Sequence, residues 1–128
     1  MSVSQPALSR ALHHLSQVAP VSYRRIFAGI GLYHQQHLFA IMSDDRLYFR
    51  VDDASRQPYL DRAMPALQPR GAGSSVSHFY QLPDVVLEDS SELLFWMRAA
   101  VEASQAPLPE PAYVTAPTQS PVRRFSAG

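Results

Sequence analysis

The chain has 128 residues, 46% hydrophobic and 17% charged, a balance that fits one folded domain with its own core and excludes a disordered chain. Basic and acidic residues number 11 each, every basic one is arginine, and cysteine is absent. That composition excludes disulfides, thiolate nucleophiles, lysine Schiff bases and the lysine of a phosphate-binding loop, and it weighs against a protein that wraps nucleic acid.

The opening segment lacks a basic start followed by a continuous apolar run. No stretch reaches the roughly 20 apolar residues of a membrane span, so a cytoplasmic location is expected. Leu8, Ala11, Leu12, Leu15 and Val18 recur at three- and four-residue spacing, which predicts an amphipathic helix over Gln5 to Val18. Ser4 is its expected cap, Pro6 fits the first turn, and Pro20 ends it.

From Tyr23 to Tyr33 the chain is rich in aromatic and branched residues, predicting a strand bent or bulged at Gly29 and Gly31. Gly29-x-Gly31 does not read as a phosphate turn, because no helix follows it. His34 to His37 predicts a turn of solvated polar residues; two histidines without a third ligand do not make a metal site. Leu38 to Met42 is a second strand, Ser43-Asp44-Asp45 a turn, and Arg46 to Val51 a third strand. In that third strand Leu47, Phe49 and Val51 share one face, while Tyr48 and Arg50 share the other. Short connections make the three an antiparallel meander.

Asp52 or Asp53 is the expected cap of a short helix running through Tyr59 to Ala63. Pro65 and Pro69 bracket an irregular piece, residues 71–75 a flexible turn, and Val76 to Gln81 a further strand ended by Pro83. Asp89 and Glu92 have capping-box spacing for a last helix, whose expected buried stripe is Leu93, Leu94, Met97, Ala100 and Val101 with Trp96 at its edge. Prolines 107, 109, 111, 117 and 121 preclude ordinary secondary structure. The expected organisation is a domain over 1–105 and a Pro-rich disordered tail over 106–128.

Several motifs in order resemble one family. Arg25-Ile26-Phe27-Ala28-Gly29-Ile30-Gly31-Leu32-Tyr33 is similar to its opening motif, and Phe39-Ala40-Ile41 to its second strand. Leu47 to Asp52 with Ser55-Arg56, Phe79 to Pro83, Val86 to Asp89, Glu92-Leu93 and Trp96-Met97 continue the pattern. The family is the TfoX N-terminal domain, whose proteins are also called Sxy, and the resemblance covers roughly residues 15–104. Ile26 and Ala28 depart from it, where Met and Gly are usual. The resemblance implies an α+β fold, an antiparallel β-sheet flanked by helices in the order α-β-β-β-α-β-β-α, with a strand near Ala66 to Pro69. It also implies regulation of competence genes together with the cyclic-AMP receptor protein. Full-length regulators of the family carry a second, helical domain; the residues that follow the resemblance here are Pro-rich.

The polar residues that match the family pattern are Arg50, Asp52 and Arg56, with Arg24 and Arg25 as candidates to extend the patch. One reading is an ion-pair network bracing strand to helix through Asp52. The other is a partner- or anion-binding patch of guanidinium forks. Ser74, Ser75 and Ser77 near His78 lack the turn-to-helix setting of a serine nucleophile, and the acidic pairs at 44–45 and 52–53 read as turn and cap residues. The expectation is a non-enzymatic module acting by protein contact, with no cofactor, metal or membrane and with a homodimer as one arrangement. Direct DNA binding and small-ligand or anion binding are the alternatives.

Overall fold

The computed structural model describes residues 3–26, 28–67 and 77–106 in full and the backbone of 123–125. Twelve residues form helix α1 (Gln5–Ser16), with Ser4 Oγ accepting from the Ala7 N–H and proline in the first turn. Its face of Leu8, Ala11, Leu12 and Leu15 is buried. Four strands follow: β1 (Val21–Ile26), β2 (Gly29–His34), β3 (His37–Ser43) and β4 (Arg46–Arg50). Then come α2 (Gln57–Asp61), β5 (Phe79–Gln81), α3 (Asp84–Leu87), α4 (Ser90–Ala103) and β6 (Arg123–Phe125). The sheet is antiparallel in the order β5-β4-β3-β2-β1-β6, and no helix among the described residues is long and apolar enough to cross a membrane.

The α+β class and the flanked antiparallel sheet agree with the expectation from sequence. The detail differs at the glycines. What reads as one bent strand is the β1–β2 hairpin: Ile26 pairs with Gly29 across a two-residue connection. Gly29 has φ +146°, and a Cβ there would lie 2.1 Å from the Met42 carbonyl oxygen, so only glycine fits. The sheet's bulge sits instead in β3, where the register slips between Leu32 and Tyr33 and leaves Phe39 as the extra residue. That slip lets Phe39 and Ala40 both join the helix-side core, while Leu38 and Ile41 pack on the opposite face. The β2–β3 and β3–β4 turns form where predicted. Both central residues have positive φ in each, Gln35 and Gln36 (52° and 70°) and Asp44 and Asp45 (53° and 64°), the hand that matches strand twist. His34 Nδ1–H donates to the Pro20 carbonyl (2.8 Å), and no group of three or more metal-ligating side chains occurs among the described residues.

The main core lies between the sheet and helices α1, α3 and α4. Phe39 and Phe49 meet edge to face there, ring centroids 5.6 Å apart, against Leu15, Leu32, Val51 and Leu93. The other sheet face carries a smaller cluster of Ile26, Ile41, Tyr48, Leu67 and Phe79. As the alternation predicts, Leu47, Phe49 and Val51 face the helices and Tyr48 belongs to the opposite cluster.

Three further expectations are corrected. Asp52 and Asp53 do not cap α2; Arg56 stands at its cap position without a side-chain cap, because Asp52 is engaged one turn earlier with Ser55. The capping box of α4 is only half made. Asp89 accepts from the Ser91 and Glu92 N–H groups, but the Glu92 carboxylate accepts from the Trp96 indole instead of turning back. Leu94, expected in the buried stripe, is exposed, because Leu93, Met97 and Ala100 already fill the face turned to the sheet. Near the expected strand at 66–69, Ala66 makes a single bridge to Tyr80 and the Leu67 N–H donates to the Phe79 carbonyl, while 68 and 69 lie outside the described residues. The flexible turn at 71–75 and the start of the strand expected from Val76 also lie outside them, as does most of the tail. Within the tail, Arg123–Phe125 is paired with β1.

Candidate functional site

Helix α4 has two working faces. Leu93, Met97 and Ala100 pack on the sheet. Glu92, Phe95, Trp96, Ala99 and Glu102 follow a second three- and four-residue repeat that runs beside the first. Opposite this second strip the chain leaves β4 through Asp52, Ala54 and Ser55 and enters α2 at Pro58 and Tyr59. Between the two lies a groove of about 440 Å³, which Arg50 also lines.

The floor of the groove is aromatic. Trp96 is 8% exposed, and its ring stands edge-on to Tyr59 at 4.8 Å and 84°. Its indole N–H donates to Glu92 Oε1 (3.2 Å), and the Arg62 guanidinium lies over it at 5.0 Å. Tyr59 also meets Tyr80 at 5.9 Å, and burial pushes its hydroxyl well above the ordinary tyrosine range, so it stays neutral. At the lip, Phe95 is 73% exposed, the most exposed large apolar residue of the described chain. Apolar floor, exposed aromatic lip and the carboxylates of Asp52, Glu92 and Glu102 suit an apolar side chain carried by a polar partner.

The sequence-predicted residues divide into two places. Arg50 is 4% exposed, with its guanidinium carbon 6.0 Å from the centre of the Phe79 ring. Arg56 donates from Nη1 to Asp53 Oδ1 (2.8 Å) and from Nη2 to the Ser77 carbonyl (3.4 Å). Asp52 instead forms a reciprocal pair with Ser55: Ser55 N–H to Asp52 Oδ1 at 2.9 Å and Asp52 N–H to Ser55 Oγ at 3.0 Å. Burial raises the Asp52 carboxyl, but the hydrogen bonds from Ser55 and the adjoining backbone outweigh it and leave the group below its ordinary value. The acid that bridges to Arg56 is therefore Asp53, not Asp52. Arg24 and Arg25 lie on β1, with β2 and β3 between them and β4, roughly 14 Å away at the usual strand spacing. They do not extend the Arg50 patch. Arg24 instead donates from Nε to Tyr33 Oη (3.2 Å) and sits over that ring at 5.5 Å.

Sequence reasoning missed His78. Burial holds its imidazole below the ordinary histidine value, and the charges of Arg50 and Arg56 push the same way against the opposing pull of Asp53. Three basic side chains thus converge where β4 meets β5. The neighbouring Ser77 hydroxyl lies 2.9 Å from each of the Leu67 and Phe79 carbonyl oxygens and shares its single proton between them. Tyr59 and Phe95 were also missed. The repeat of residues 92, 95, 96, 99 and 102 on α4 was the available signal for Phe95; nothing local marks Tyr59, which meets Trp96 from 37 positions away.

Residues 13–104 match the family described as the TfoX N-terminal domain. The chain belongs to that family. The TfoX N-terminal match runs from within α1 to the C-cap of α4, so it contains the whole groove, the Arg50–Arg56–His78 cluster and β1, and it leaves out β6. No curated protein matches the chain.

Proposed function

We propose that this TfoX N-terminal domain is a non-enzymatic regulatory module for competence gene expression that acts by protein contact through the groove between α2 and α4. The observation that carries the reading is Phe95, 73% exposed beside the Tyr59–Trp96 floor and inside the family span. A large aromatic held open at the lip of an apolar groove is a typical anchor of a protein interface. The partner class that family membership suggests is a transcription regulator such as the cyclic-AMP receptor protein. Affinity capture from the native host, with the chain and its Phe95→Glu variant as baits, tests the reading. A partner held by the wild type and lost by the variant, at unchanged melting temperature, supports it; identical captured sets refute it.

The convergence of Arg50, Arg56 and His78 favours a second reading, a small-anion site. A thermal-shift screen of nucleotides and organic acids separates the two: stabilisation that disappears in Arg56→Ala but persists in Phe95→Glu favours the anion.

A further inference from the structure

An open sheet has two edges, each a row of backbone groups ready to pair with another strand. At the β5 edge the bridge from Ala66 to Tyr80 provides cover. At the β1 edge the cover comes from the chain's own far end: Val21 pairs with Phe125, Ser22 with Arg124 and Tyr23 with Arg123. Among the described residues the pairing reaches Val21–Tyr23 of β1.

The occupant is poorly matched in charge. Antiparallel register makes Arg124 the diagonal neighbour of Arg24, and Arg123 that of Arg25. Four of the chain's 11 basic residues therefore occupy neighbouring register positions at one edge, and none of the strands β1, β2 and β6 contains an acid. Diagonal positions are within reach of long side chains, and like charges there oppose pairing. What favours the contact is the tether. Only the 16 residues 107–122 separate α4 and its closing turn from β6, so the segment is present at high effective concentration however weak its pairing.

We propose that the outer edge of β1 is an acceptor for an acidic extended segment of a protein partner, added as an antiparallel strand, and that Arg123–Phe125 is the weak internal occupant it displaces. Backbone pairing supplies affinity in such strand addition, and Arg24 and Arg25 supply the selection for acid. The site lies on β1, away from the α2–α4 groove, and stands independently of the function proposed for that groove.

The test uses the full chain, its Arg123→Pro/Arg124→Pro variant, and labelled peptides of residues 119–127. The acidic probe carries Arg123→Glu and Arg124→Glu. It should bind the proline variant about tenfold more tightly than the wild-type chain, and about tenfold more tightly than the unsubstituted peptide does. It should also slow amide exchange at Val21–Tyr23, and Arg24→Gln/Arg25→Gln should remove its advantage. In the wild-type chain, saturating acidic probe should speed tryptic cleavage after Arg123 and Arg124, a readout that holds even if the proline variant does not fold. Unchanged cleavage overturns the proposal. So does equal binding by an acidic probe that also carries Val122→Pro and Phe125→Pro, since that reports charge without strand pairing. Tighter binding of a DNA duplex in competition with the probe overturns it as well.

Discussion

Trp96→Ala should destabilise the domain by about 3–5 kcal/mol. A buried tryptophan removes roughly 150–250 Å² from water, worth about 4–6 kcal/mol at about 25 cal/mol per Å². A compact unfolded reference reduces that by about 10–40%. The result agrees with the usual Trp→Ala range of about 3–5 kcal/mol. The structure supports the full range because the ring is 8% exposed and holds Tyr59 at 4.8 Å, the Glu92 carboxylate at 3.2 Å and the Arg62 guanidinium at 5.0 Å. Trp96→Phe keeps the contact with Tyr59 and loses the indole N–H and one ring, so it should cost about 1–2 kcal/mol. Urea unfolding followed by far-UV circular dichroism measures both variants. Trp96 is the sole tryptophan, so wild-type fluorescence should report the same transition. A cost below about 1 kcal/mol for Trp96→Ala would show that the ring does not join α2 to α4 and would remove the floor of the groove.

Arg50→Ala should cost about 2–3 kcal/mol, because the side chain is 4% exposed and packs on Phe79, whereas Arg56→Ala should cost about 1 kcal/mol. Denaturant melts that rank the two the other way would contradict the assigned burial. His78 is held below its ordinary value of about 6.5, so the folded state takes up its proton at lower pH than the unfolded chain does. Its contribution is complete above pH 6.5 and is lost as pH falls from there through the depressed folded value. Melting temperature should therefore drop from pH 7 to pH 5, and less steeply in His78→Gln; His14, also depressed, keeps part of the slope in the variant. Identical slopes in the two proteins would refute the assignment. Gly29→Ala should destabilise by more than about 2 kcal/mol, because its Cβ would meet the Met42 carbonyl at a φ few side chains adopt; a melt within one degree of wild type would contradict that geometry.

Much of the scaffold is legible where one local rule governs. Leu8, Ala11, Leu12 and Leu15 define α1 by spacing alone, Ser4 caps it, and Asp89 caps α4. The β1–β2 hairpin is hidden because its connection, Phe27-Ala28, is as apolar as the strands it joins. Alternation in β4 assigns Phe49 and Tyr48 to opposite faces, but only the sheet order reveals that both faces are buried. The same gap explains the site. Arg50 and Arg56 are visible in the third-strand motif, yet their neighbour His78 arrives through β5, and Arg24 and Arg25 are carried off by two intervening strands. Asp53 replaces Asp52 as the partner of Arg56 because Ser55 already holds Asp52, a competition that residue types alone do not rank.

A photo-crosslinking amino acid placed at Phe95, with Ser9 on the exposed side of α1 as the control position, tests the protein-contact account most directly. In native-host cells the Phe95 probe should give a discrete protein adduct that the Ser9 probe does not. No adduct at Phe95, or the same adducts from both positions, would contradict it.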